Sequence, residues 1–271
     1  MVQFQTIKRR NKRTTVLKRA VVLVFWIFSV FLQGFSCFVG KSEGVRWTHL
    51  ASFCTYFNQN EGGRCENIAL ASRLIDGLAI QPYGEFSFNQ TVGKRTADAG
   101  FKIAKIIQNG EYKTGVGGGV CQVSTTLYNA VLLSGLTVTE YHPHSLAVGY
   151  VSPSRDAMVS SQSDFKVYNP YSFPVKLRLE AKGGVLTVTL YGLNAPSPLW
   201  KYKIVSRTIE EIAPPEVEIR EGDEEEIVRC ERSGVKSEAY LERYERGVLV
   251  GRKLLRKDSY LPIQGIIVKK R

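Results

Sequence analysis

The strongest periodic pattern in the chain runs through residues 120–134, where Val123, Leu127, Ala130 and Val131 recur at helical spacing and share one face. Gly135 followed by Leu136 supplies a stop, a glycine cap with a trailing hydrophobic contact. A second helical pattern covers Asn67 to Leu78, with Ile68, Ala71 and Ile75 on its apolar side. Elsewhere the period shortens to two. Phe165–Tyr168, Val175–Leu179 and Val185–Leu190 alternate inward and outward, with Gly183-Gly184 between the last two, and predict an antiparallel meander. Asn109-Gly110 between Ala104–Ile107 and Glu111–Lys113 is a hairpin signal. Leu136–Tyr141 and Leu146–Val151 are strand-like, and Pro153-Ser154-Arg155-Asp156 is turn-like. Asn194 to Pro198 marks a boundary, beyond which strands alternate with turns punctuated by Gly222, Gly234, Gly247, Gly251 and Gly265. The predicted fold class is α+β: a helix carrying a nucleophile, packed on an antiparallel sheet in the Cys-His-Asp order of papain- and transglutaminase-like sites, plus a small C-terminal all-β module.

One stretch has no period at all. Ala20 to Val39 is uncharged and contains Val21-Val22-Leu23-Val24-Phe25-Trp26-Ile27-Phe28, long enough to cross a bilayer core of roughly 30 Å. Seven basic residues and no acid lie in the nineteen positions before it, which predicts an N-terminus inside the cell. The expected organisation is a cytoplasmic basic tail over 1–19, a transmembrane anchor over 20–39, a main domain over 40–198 and a β module over 199–271 with a wall-binding role open to it. The expected location is a single-pass membrane protein with its bulk extracytoplasmic. A removed signal peptide is the alternative for the same segment.

Net charge is +12, and setting the first nineteen residues aside leaves +5, which is not the footprint of a nucleic-acid binder. Of the five cysteines, Cys37 falls in the apolar segment. Cys54 and Cys65 bracket a polar loop and could either bridge it or stay free, and Cys230 reads as a small buried residue.

Cys121 is different. Four glycines in five positions, Gly115-Val116-Gly117-Gly118-Gly119, lead into the helix that it opens. Orphan amides and the macrodipole at a helix N-terminus favour a thiolate, the nucleophilic form of cysteine. His142 and His144, two of the three histidines, follow on the next strand-like segment. An imidazole can take the thiol proton, and an acid can hold the ring in its working tautomer. Asp156 is the favoured acid, with Asp164 behind it. The amides of Gly117, Gly118 and Gly119, with Gln122 beside them, form a candidate oxyanion-stabilising loop. Zinc held by Cys121, His142, His144 and Asp156 is the rival, but no CxxC or HExxH spacing supports it, so neither metal nor cofactor is expected.

At these residues the sequence resembles the VanW family. Glu85-Phe86-Ser87-Phe88-Asn89, Val92-Gly93 and Arg95-Thr96 match one motif, and Gly115 to Ala130 matches another almost throughout. His142-Pro143-His144-Ser145, Arg155-Asp156-Ala157 and Asp164-Phe165 match the rest, and the tail resembles a five-glycine-type β module. The resemblance implies an L,D-transpeptidase of the cell wall, with Cys121 forming a thioester on a peptidoglycan stem peptide and His144 favoured over His142 as base. A non-catalytic wall-binding or glycopeptide-resistance accessory protein, and a cysteine amidase or peptidase, are the alternatives.

Overall fold

The computed structural model describes residues 44–271 with the exception of 109. The chain enters on β1 (Trp47–Tyr56), turns through a polar loop and forms α1 (Gly62–Ile75). The short β2 (Ala79–Ile80) and β3 (Glu85–Ser87) precede α2 (Phe88–Val92). A hairpin of β4 (Ile103–Gln108) and β5 (Glu111–Val116) then feeds α3 (Val120–Ser134), which ends at Gly135 in the left-handed region, φ +80°. Next come β6 (Thr137–Glu140), a long irregular loop, β7 (Lys166–Tyr168), β8 (Val175–Lys182) and β9 (Val185–Leu193). The remainder is all strand: β10 (Trp200–Ile212), β11 (Glu218–Gly222), β12 (Glu226–Arg229), β13 (Gly234–Glu245), β14 (Val248–Tyr260) and β15 (Ile266–Lys270).

All of α3 is buried except Cys121 and Leu133, so this helix is the centre of the core. It lies against β1 and β9 of the four-stranded antiparallel sheet β1-β9-β8-β2 and against α1. Leu127, Val131, Ile68, Phe88, Leu177 and Leu190 meet there with no exposed surface. The other sheets are β3-β7-β6, β10-β13-β14, and β11-β15-β12, whose β11–β15 pair is parallel. Gly183 and Gly184, at φ +60° and +76°, turn the β8–β9 hairpin as two left-handed residues do.

The α+β expectation of a nucleophile-bearing helix on one antiparallel sheet, papain- or transglutaminase-like, is corrected. The described chain is mostly antiparallel β, with fifteen strands in five small sheets and three helices among the described residues. The expected meander fails because β7 pairs with β3 and β6 rather than with β8. Leu146–Val151 is not a strand, and neither is the rest of the segment from Tyr141 to Phe165. Pro143 and Pro153 remove ladder donors at both ends of it.

The single-pass membrane location is also corrected. Among the described residues no helix is long and apolar enough to cross a membrane, and the segment 20–39 on which that expectation rested lies outside them. Cys54 and Cys65 are free rather than bridged, and Cys230 is exposed rather than buried.

Candidate functional site

The site starts with the glycine loop. Gly119 is the N-cap of α3 at φ +106°, a conformation that a β-carbon makes costly. A β-carbon on Gly118 would stand 2.5 Å from the Lys105 carbonyl oxygen, so the loop lies directly on β4. Buried Asn67 ties the two together: its Nδ2 donates to the Lys102 and Gly118 carbonyls, both at 2.9 Å, and its Oδ1 accepts from the Lys102 amide at 2.7 Å. Cys121 follows in the first turn, half-buried, with Sγ 3.4 Å from the Val159 carbonyl oxygen.

The histidine and the acid come from the irregular loop, and α3 shapes that loop. Ser124 Oγ donates to the Ala157 carbonyl at 2.6 Å, Thr125 Oγ1 accepts from the Ala157 amide at 3.0 Å, and Asn129 Nδ2 donates to the Arg155 carbonyl at 2.8 Å. These polar side chains, buried on the core helix, are paired by backbone that has no ladder of its own. Arg155 turns onto Asn129 Oδ1 and the Phe53 ring, and Asp156 turns inward.

Asp156 Oδ2 accepts from both the backbone amide and Nδ1 of His144, each at 2.7 Å. This pairing assigns the Nδ1–H tautomer and leaves Nε2 for the thiol. Burial pushes the Cys121 thiol up, but the hydrogen bond and charge of His144, with Arg95 beyond, outweigh it and hold the pKa below the ordinary value. Burial also opposes charge on His144, yet Asp156 and Cys121 raise its pKa to about 9. Asp156 is held below the usual carboxylate range: burial acts against ionisation and His144, Arg256 and Tyr260 overcome it. The arrangement is that of a thiolate–imidazolium pair backed by a carboxylate.

Two of the other expected residues, His142 and Asp164, lie outside the cleft. His142, half-exposed, pairs through Nε2 with Glu140 Oε1 at 3.0 Å and does not line the cleft. Asp164 caps α2, accepting from Ser87 Oγ at 2.5 Å and from the Asn89 amide at 2.8 Å. The Gln122 side chain is fully engaged, accepting from Arg64 Nη2 at 2.6 Å and donating to Thr55 Oγ1 and the Tyr56 carbonyl, and its own amide bonds the Gly119 carbonyl. It braces the loop rather than offering a donor to an oxyanion. Gly117, Gly118 and Gly119 line the cleft with Cys121 and His144. Among the described residues no group of three or more His, Cys, Asp or Glu side chains is arranged to hold a metal ion.

The cleft above Cys121 has a volume of about 930 Å³. Arg64, Lys94, Arg95 and Lys105 contribute to its wall, and no Asp or Glu does. Arg95 is half-buried and bonds only neutral oxygens, Asn89 Oδ1 at 2.8 Å and the Gly93 carbonyl at 3.1 Å. Sequence reasoning missed Asn67 and Arg95 as site residues. Arg95 was visible only inside a family motif, and Asn67 only as a polar residue at the edge of a helical pattern.

The glycine loop, Cys121, His144 and Asp156 all fall within residues 63–191, which match the family described as VanW like protein. That segment is similar to VanW-like proteins. The uncharacterized protein YoaR of Bacillus subtilis (strain 168) is 46% identical over 143 residues, covering 52% of this chain and 47% of YoaR. The vancomycin B-type resistance protein VanW of Enterococcus faecalis (strain ATCC 700802 / V583) is 32% identical over 98 residues, 34% of this chain and 36% of that protein. The chain thus spans about half or less of the length of these curated relatives. A solved structure described as Crystal structure of HP0197-G5 matches at 20% identity over 25% of this chain and 96% of its own, with a TM-score of 0.15. That score carries no fold argument, and the five-glycine assignment of residues 199–271 is not confirmed. The matched segment ends in β9, short of every strand from β10 onward.

Proposed function

We propose that the VanW-like segment is a cysteine acyltransferase acting on cell-wall stem peptides, in its specific form an L,D-transpeptidase. The observation that carries this reading is a cleft lined by both Cys121 and His144, with the His144 ring bonded through Nδ1 to buried Asp156 at 2.7 Å, an arrangement that lowers the thiol's pKa. The Cys121 thiolate attacks the donor carbonyl and the C–S bond forms. The amides of Gly118, Gly119 and Cys121 are the donors offered to the resulting oxyanion, that of Val120 being taken by the Gly117 carbonyl at 3.1 Å. As the C–N bond to the leaving amino acid breaks, Nε2 of His144 gives that amine its proton, leaving a thioester. An acceptor amine then attacks, returns a proton to His144, and expels the thiolate.

The wall of the cleft supports an anionic peptide as donor. Four cationic side chains and no carboxylate suit a stem whose carboxylates flank the scissile bond, and the half-buried Arg95 guanidinium hydrogen-bonds neutral oxygens and makes no salt bridge to a carboxylate among the described residues. The test is incubation of the full chain with tetrapeptide-bearing muropeptides, wild type beside Cys121→Ala, with products resolved by mass spectrometry. Cross-linked dimers from wild type alone support transfer. Trimmed monomers would assign a hydrolase instead, and binding without turnover in both proteins would assign an accessory role.

A further inference from the structure

We propose that residues 199–271 are a working part of the Cys121 site: Tyr260 and Arg256 of β14 are positioning residues that hold Asp156, and through it the His144 ring, in line with the thiol. The proposal rests on reading Cys121 and His144 as a reactive pair, and it extends the site beyond the VanW-like segment.

Asp156 is 1% exposed, and its two oxygens face opposite ways. Oδ2 receives both bonds from His144, and Oδ1 receives the Tyr260 hydroxyl at 2.5 Å. That same hydroxyl oxygen accepts from the Ser154 amide at 2.7 Å, so one group fixes both the loop backbone and the carboxylate rotamer. Arg256 donates through Nη1 to the Asp156 carbonyl at 2.6 Å and places Nη2 3.5 Å from Oδ1. Its Nε donates to Asp258 Oδ2 at 2.6 Å, and the guanidinium lies 4.6 Å over the Tyr141 ring and 5.9 Å from that of Tyr128. The buried groups therefore alternate in sign from Asp258 through Arg256, Asp156 and His144 to the thiolate. On the far side Cys121 is faced by Arg95 and Tyr150.

The rest of this segment clasps the same loop on both sides of the carboxylate. Ser154 sits at φ +60°, in the left-handed region, with its Oγ 2.7 Å from Ser237 Oγ on β13. Ser206 Oγ on β10 donates to the Pro153 carbonyl. Beyond β14, the Leu261 amide donates to the Ser145 carbonyl at 2.8 Å, next to His144. A loop with no ladder of its own takes its shape from these contacts. A network of buried charges is weak evidence of stabilisation and a better candidate for enforcing one arrangement.

The experiment is the pH dependence of alkylation at Cys121 in the full chain, read by peptide mass spectrometry so that the other cysteines are scored separately. Wild type is compared with Tyr260→Phe and with Arg256→Lys, which keeps the charge but not the fork. The wild-type midpoint is expected below the ordinary thiol value of about 8.5. In the folded variants it is expected to rise by about one unit, a roughly tenfold slower reaction on the acid side, with near-UV circular dichroism unchanged. Whichever variant folds decides. Midpoints that coincide with wild type overturn the role of this segment alone. A wild-type midpoint at the ordinary value overturns the reactive pair itself.

Discussion

Asp156→Asn is the substitution that tests the site most directly, because every contact that it disturbs is in view. The carboxylate accepts two bonds from His144 and one from Tyr260, and it neutralises an Arg256 whose side chain is 1% exposed. An amide can serve His144 through its oxygen. Its NH₂ then faces the Tyr260 hydroxyl, whose oxygen already accepts from Ser154, and the phenolic proton loses its acceptor. Arg256 keeps only Asp258 as a counter-charge. Removing one member of a buried charge pair costs about 3–5 kcal/mol. For a chain of this size that is roughly 6–20 °C in Tm. The ring is affected as well. Its rise from 6.5 to about 9 favours the imidazolium by roughly 3 kcal/mol, shared between Asp156 and Cys121. Losing the Asp156 share lowers the His144 pKa and raises that of the thiol, so alkylation of Cys121 at pH 6–7 should slow about tenfold or more. Calorimetry and the alkylation profile measure the two effects separately. A loss below about 1 kcal/mol, with the thiol profile unmoved, would refute this role of Asp156.

Three further outcomes are expected. The acylation rate should rise with pH as Cys121 ionises, in a range below that of an ordinary thiol, and fall through about pH 9 as His144 loses the proton meant for the leaving amine; stopped-flow thioester formation measures both limbs. The stability that the raised His144 pKa confers has the same upper edge, being full below about 6.5 and lost as pH climbs through about 9. His142→Ala should leave the turnover of muropeptides within about twofold of wild type, since its half-exposed pair with Glu140 is a surface contact worth at most about 1 kcal/mol. Gly119→Ala should destabilise by about 1–3 kcal/mol in urea unfolding, because its φ of +106° is strained for any β-carbon and that carbon would meet Arg64 and Ile68 at 3.0–3.1 Å.

Local chemistry alone determined several features correctly. The period in residues 120–134 and the glycine at 135 marked α3 and its stop, because a helix writes its buried face and its left-handed cap into neighbouring positions. The turn dipeptides Asn109-Gly110 and Gly183-Gly184 marked hairpins for the same short-range reason. The cysteine at the mouth of that helix was legible too. The tertiary structure decided everything that depends on residues far apart. Its long-range pairings distributed the strands among five sheets and set β7 beside β3 and β6. They also turned His144 rather than His142 toward the thiol, by anchoring an unpaired loop to Ser124, Thr125 and Asn129. Tyr260 reaches Asp156 across 104 positions of sequence. Such a bond depends on how whole sheets pack, so it leaves no periodic trace along the chain that any window of neighbouring residues could hold.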